Sequence, residues 1–327
     1  MGMKQNWIVT FGHAEIEGGA ITHVVKRLSP APEPTEELTE DGKKKIYAPH
    51  TILRSNVEFE QGTISWDAYL LDSKSTCELL LPAEPGVPQS GGSASDVGPT
   101  TDFLLAFGLN SLGAPYGFAG LRNWRWEAVE GTGQGTTVPV RRWINVAARV
   151  TGSSVEMYVD GVRVLSTTRT LRRGQVGLFM QGATPIKFRN LVVEAQQPTC
   201  FTVMQFSEDF NVLYTDVIKP MCEQFGYRVI RGDDFHTSGQ IMDDITQSIR
   251  SAALIIADVT PDNANVFYEL GYAHGIGKPT ILLSDRRREK LPFDISGFRT
   301  LFYDNSIGGK AVVEQRLKQH LEALRSR

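Results

Sequence analysis

The stretch Leu254-Ile255-Ile256-Ala257-Asp258-Val259-Thr260-Pro261-Asp262-Asn263-Ala264-Asn265-Val266-Phe267-Tyr268-Glu269-Leu270-Gly271-Tyr272-Ala273-His274 decides how the second half of this chain folds. A short apolar run ends at Asp258, and a polar loop containing Pro261 follows. A helical pattern then carries Glu269 in or just after its first turn. In an open α/β sheet, ligands bind in the crevice outside the carboxyl ends of the strands, where such a loop lies. Asp258, Glu269, Asn263 and Asn265 therefore mark a candidate site for a polar, sugar-bearing ligand.

Outward from this stretch, strands and helices alternate. Short apolar strands are predicted over 201–206, 227–231, 253–257, 280–283 and 299–303. Helices are predicted over 212–225, 240–250, 266–276 and 312–324, with Pro220 arguing for a kink or a late start in the first of them. Gly277-Lys278-Pro279 stops the third helix. Alternating units of this length predict a flavodoxin-like parallel sheet covered by helices on both faces. The loops after Phe206, Arg231, Ala257 and Leu283 then share one sheet edge. They bring Phe206, Ser207, Asp209, Asp233, Asp234, Ser238, Asp258, Asn263, Asn265, Tyr268 and Glu269 toward one site. Ser238-Gly239 ahead of a helix offers a hydroxyl and free backbone N–H groups, suited to a phosphate or to a plain N-cap.

The first half reads in period two. Thr63-Ile64-Ser65-Trp66-Asp67-Ala68-Tyr69-Leu70 alternates as a half-buried strand does, and Ile186 to Val193 closes this half as another strand. Ser154 to Val159 and Val162 to Val164 flank Asp160-Gly161, a pair that accepts positive φ and so marks a hairpin. The pattern predicts a β-sandwich. Gln196-Gln197-Pro198 is the linker, giving a multidomain β plus α/β chain with domains over 1–196 and 199–327. Residues 28–45 and 83–101, rich in Pro, Gly, Ser or charge, read as surface loops. Tyr116, Phe118, Trp124 and Trp126 could form a stacking platform for a sugar or simply pack. Asp67, Asp72 and Asp102 read as strand-surface and turn residues rather than a glycosidase pair.

Composition narrows the classes. The chain has 327 residues, 41% hydrophobic and 22% charged, with a formal charge of −3, so no global field draws it to nucleic acid or anionic membrane. Arg286-Arg287-Arg288 is the one notable basic cluster and reads as a solvated loop. Cys77, Cys200 and Cys222 have no metal-ligand spacing and no disulfide framework, which favours a reducing compartment. With no secretory signal in residues 1–10 and no long apolar run, a cytoplasmic location without a membrane span is expected. No metal or resident cofactor is expected.

Two resemblances sharpen this reading. Phe59 to Trp66, Trp143 to Val146, Met157 to Val162, Gly174 to Phe179 and Phe188 to Asn190 resemble, in order and type, the concanavalin A-like lectin/glucanase jelly roll and its laminin G-like relatives. Phe206 to Phe210, Ile218 to Pro220, Ser238 to Ile245 and Asn265 to Pro279 resemble bacterial TIR-like domains, which are related in fold to nucleoside 2-deoxyribosyltransferases. In those transferases a glutamate in a Glu-x-Gly-x-Ala context is the nucleophile, matched here by Glu269-Leu270-Gly271-Tyr272-Ala273. Their strand-end aspartate is matched by Asp258. The resemblance implies an N-glycosidase acting on NAD(P)+ or another nucleotide as substrate. Glu269 would stabilise or trap the ribosyl cation, and Asp258, Asn263 and Asn265 would hold the ribose. Phe206 and Tyr268 would pack the base. It further implies a regulated anti-phage defence effector that acts as a homo-oligomer after a glycan, protein or nucleotide trigger reaches the sandwich. Asn263 stands where the transferases carry a second aspartate, and Val266-Phe267-Tyr268 replaces the Trp-Cys segment of many eukaryotic TIR domains. The alternatives are a non-catalytic nucleotide-binding module and a deoxyribosyltransferase.

Overall fold

The computed structural model describes residues 5–25, 49–83, 103–122, 125–234 and 241–326. The chain divides into two compact units, Met1–Arg149 with Val155–Ala195 and Gln196–Arg327 with Val150–Ser154. The surface loops read over 28–45 and 83–101 fall almost wholly outside the described residues, as do Asp102 and Trp124.

The N-terminal unit is a jelly-roll β-sandwich of two antiparallel sheets. One sheet holds, in spatial order, β1 (Trp7–Phe11), β4 (His50–Phe59), β13 (Gly174–Gln181), β6 (Thr76–Pro82), β7 (Leu104–Ser111), β8 (Ala114–Arg122) and β9 (Arg125–Thr132). The other holds β12 (Val162–Thr168), β11 (Ser154–Val159), β10 (Trp143–Thr151), β5 (Gly62–Leu70), β14 (Ile186–Ala195), β3 (Ala20–His23) and β2 (Ala14–Glu17). Along β5, Ile64, Trp66, Ala68 and Leu70 are all buried, so the alternation seen in sequence is the inward face. Trp66 meets Phe107 of the opposite sheet edge-on, with ring centroids 5.1 Å apart, and Phe107 lies against Phe118. Asp160 and Gly161 adopt φ of 48° and 79°, the conformation of a two-residue hairpin turn between β11 and β12.

Among the described residues, the aromatics read as a stacking platform divide between the two faces of their sheet. Phe118 faces the core, whereas Trp126 pairs with Leu121 across β8 and β9 and packs on Phe179. Leu121 is three residues from Phe118, an odd offset, and a strand turns such residues to opposite faces. Asp67 and Asp72 serve the surface and a turn: Asp67 accepts from Asn145 and Asn190, and Asp72 from Lys74 N, Ser75 and Thr184.

The C-terminal unit is a five-stranded parallel sheet in the order β16 (Arg228–Arg231), β15 (Thr199–Val203), β17 (Leu254–Asp258), β18 (Thr280–Asp285), β19 (Thr300–Tyr303). Taken in chain order this is the 2-1-3-4-5 layout of flavodoxin-like folds. Helices α1 (Glu208–Leu213), α2 (Lys219–Gln224) and α5 (Ile307–Ser326) cover one face, where Phe210, Val217, Cys222 and Leu317 pack on Leu254, Ile256 and Ile281. Helices α3 (Ile241–Ser251) and α4 (Ala264–Gly275) cover the other, where Ile245, Ile249, Val266 and Leu270 pack on Phe201, Ile255 and Ala257. The alternation Leu254/Ile256 against Ile255/Ala257 explains the continuous apolar run: β17 is buried on both faces.

Two local features differ from the sequence reading. The helix at Pro220 starts early, at Glu208, and passes through a π-helical turn, Tyr214–Ile218, just ahead of α2. Proline has no N–H and its ring crowds the carbonyl four residues back, and a wider turn absorbs both. Lys278 does more than end a helix. It is 5% exposed, and its ammonium donates to the Arg250 and Ala252 carbonyls at the end of α3. The three cysteines are free and buried, and no helix among the described residues is long and apolar enough to cross a membrane.

Candidate functional site

The carboxyl ends of β15 and β17 are neighbours where the strand order reverses, and each hands the chain to a loop on the same edge. Asp258, the last residue of β17, is 0% exposed. Its Oδ1 accepts from Thr260 N at 2.9 Å and its Oδ2 from the Tyr303 hydroxyl at 2.8 Å. Desolvation raises its pKa against the pull of these hydrogen bonds. Both oxygens therefore have partners within the fold.

The loop after Asp258 is fastened from β18. Thr260 Oγ1 accepts from Asp285 N at 2.8 Å, and the Arg288 guanidinium donates to the carbonyls of Val259 and Thr260, both at 2.9 Å, and to Asp262 Oδ1. The Arg288 side chain is only 10% exposed, so the triplet expected to be a solvated loop contains a clamp. Arg287 pairs with Asp285 at 2.8 Å, and Arg286 reaches Asp304 at 3.5 Å.

Asn263 is the N-cap of α4. Its Oδ1 accepts from Asn265 N at 3.0 Å and Val266 N at 3.4 Å, and its Nδ2 donates to Gln205 Oε1 at 3.3 Å across the β15–β17 crevice. Its side chain thus serves the helix start. Val266, Leu270 and Ala273 turn α4 toward the sheet and leave Asn265 and Tyr268 exposed, with Glu269 half-buried beside that face. Burial pushes the Glu269 carboxyl up to about 7. Among the described residues, no hydrogen bond or ion pair engages it.

Around this helix the remaining candidates separate. Phe206 is 55% exposed beyond β15, and Arg231, at the end of β16, places its guanidinium 5.3 Å from that ring and 4.3 Å from the Tyr214 ring. Arg231 is buried and paired with Asp233, whose carboxyl it holds below the usual range, and it also donates to Asn211 Oδ1 at 2.8 Å. Ser207 occupies the N-cap position of α1 without a side-chain cap bond. Asp209 lies on the α1 side, 3.6 Å from Arg287, on the sheet face opposite α4 and Glu269. The Asp234 side chain and all of Ser238 are outside the described residues. His274 stacks on Phe298, centroids 4.3 Å apart. Arg231 and Arg288 escaped the sequence reading. An arginine closing an apolar strand before Gly-Asp-Asp was the available signal for the first, and nothing local marked the second.

No family model matches this chain, and no curated protein matches it. Among solved structures it is similar to a carbohydrate-binding module from Bacillus subtilis, at 12% identity over 57% of this chain and 92% of that one, TM-score 0.38. It is also similar to a β-1,3-1,4-glucanase derived from a mouse hindgut metagenome, at 10% identity over 57% and 90%, TM-score 0.32. A third is a galectin from Caenorhabditis elegans, at 9% identity over 45% and 95%, TM-score 0.28. Their names describe those proteins and lend this chain no activity.

Proposed function

We propose that the C-terminal unit hydrolyses the N-glycosidic bond of NAD(P)+ or a related ribonucleotide, with Glu269 as the reacting carboxylate. The supporting observation is the Glu269 carboxyl itself: half-buried on α4 at the carboxyl edge of the sheet, unengaged among the described residues, and raised to about 7. A carboxylate that stabilises or captures a ribosyl oxocarbenium ion must be free of internal partners, close to the sugar and partly desolvated. As the C1′–N bond breaks, its electron pair leaves with the pyridine nitrogen, so a nicotinamide leaving group needs no general acid. Water then adds to C1′ and loses a proton. Phe206 and Tyr268, both exposed rings on this edge, would take the flat faces of the ligand. Asn263 and Asp258 support the site through the fold instead of touching ribose. The TIR-like resemblance of residues 200–305 adds that such an effector is silent until it self-associates, in keeping with a regulated defence role.

The test is incubation of the full chain and of Glu269→Gln with NAD+ at high and low protein concentration, reading free nicotinamide and ADP-ribose. Release by the wild type at high concentration, lost in the variant, is the expected result. Nucleotide binding that survives the substitution, with no turnover in either protein, would replace this reading with a signal-binding module.

A further inference from the structure

Glu78 lies in the middle of β6, between residues that build the sandwich core. Cys77, Leu79 and Leu81 point inward and are at most 1% exposed. Glu78 therefore projects from the outer face of its sheet. Its cross-strand partners are Phe179 on β13 and Gly108 on β7. At Gly108 a Cβ would stand 2.2 Å from the Cys77 carbonyl oxygen, so no side chain can fill the space beside the carboxyl. Trp126 and Phe179, centroids 4.8 Å apart, form a wall of the same recess. The cavity above has a volume of about 560 Å³ and is lined by Glu78, Thr76, Asn110, Gln134, Trp126 and Phe179, among others.

Glu78 is 2% exposed, and among the described residues its Oε1 has no hydrogen-bond partner. Among the described residues, the only other charged side chain lining the cavity is Lys74, which is exposed; Cys77 points to the opposite face. Neutral polar side chains line it too. Thr76 Oγ1 donates to Asn110 O at 3.1 Å and Asn110 Nδ2 to Ser75 O at 2.6 Å. Gln134 Nε2 donates to Gly131 O at 3.2 Å and Thr136 Oγ1 to Gly133 O at 2.7 Å. Each of these four side chains commits one donor inside the fold and keeps an acceptor oxygen, while Asn110 and Gln134 each keep a second amide N–H as well.

We propose that this cavity binds a ligand through a cationic nitrogen, an ammonium or guanidinium group seated against Glu78 and the rings of Trp126 and Phe179. Such a group has donors and no acceptors, the complement of a carboxylate, and an electron-rich ring face attracts it. A cation also resolves an otherwise costly buried carboxylate. Burial pushes Glu78 up to about 7, with the neighbouring Ser111 hydroxyl offsetting part of the desolvation. Seating a cation therefore expels a proton below that pH and weakens binding as pH falls.

Calorimetric titration of the full chain tests this, with putrescine, agmatine and L-lysine amide as probes and glucose and cellobiose as neutral controls. At least one amine should bind at about pH 8, weaken about tenfold by about pH 6, and lose at least about tenfold in Glu78→Gln. Trp126→Ala should weaken it several-fold. Should Glu78→Gln fail to fold, the pH dependence and Trp126→Ala in the folded protein decide the matter. The proposal is overturned by the absence of amine binding at about pH 8, by equal binding to folded Glu78→Gln, or by preference for the sugars. Because the readout is binding at the sandwich, none of these outcomes depends on Glu269.

Discussion

Asp258 and Glu269 occupy one loop-and-helix segment, and both have pKa values raised by burial, yet the fold uses them in opposite ways. Asp258 ends a central strand whose neighbours cover it on every side, and Tyr303 and Thr260 saturate its oxygens. Glu269 lies on a helix whose sheet-facing contacts are made by Val266, Leu270 and Ala273, so its carboxyl is left over. A carboxylate at the end of a central strand is drawn into the structure, while one on the flank of a covering helix stays available to a ligand. Glu78 is a third variant, a strand carboxylate as buried as Asp258 but without its partners.

The contrast breaks most sharply under substitution. Glu269→Gln should lower nicotinamide release by about 10³-fold while leaving the circular dichroism spectrum intact. Retained turnover would end the assignment of Glu269. Asp258→Ala should instead cost roughly 3 kcal/mol in urea unfolding, because it strands a buried Tyr303 hydroxyl and the Thr260 N–H. A soluble, fully stable Asp258→Ala would show that those bonds contribute little.

Arg288→Ala removes three hydrogen bonds that hold the loop between the two carboxylates. A loss of about 1–2 kcal/mol in stability is expected, with Arg288→Lys recovering only part, since one ammonium cannot span the same three acceptors. The smallest effect is on pH. If Glu269 reacts as the carboxylate, kcat/KM should rise through pH 7 and fall about fivefold from there to pH 6. The stability sign is opposite. A carboxyl raised from 4.5 to about 7 in the folded state loses stability as pH climbs across that window, so Glu269→Gln should melt higher than wild type above pH 7 and equally at pH 4. Thermal scans at both pH values check it.

Much of this architecture is written in local pattern. The Asp160-Gly161 turn, the alternation of β5 and the strand–helix alternation after Gln196 each depend on residues a few positions apart. Asn263 was legible too, as an asparagine directly before a helix, although its capping role was passed over for a ligand role. What escaped depends on distant chain segments meeting. Tyr303 reaches back to Asp258, Arg288 to Val259, and Trp126 to Phe179. Pro220 was misjudged because its cost depends on whether the preceding turn can widen, which no propensity records.

The sequence by itself determined two units, a sandwich and a parallel sheet, and the strand-end segment that carries Asp258 and Glu269. Periodicity and turn chemistry are short-range and act before any packing. Only the tertiary structure decided that Asp258 is bonded on both oxygens, that Glu269 is unengaged among the described residues, and that Glu78 is buried with its Oε1 unpartnered. Burial and hydrogen-bond satisfaction are properties of neighbours brought together from far along the chain.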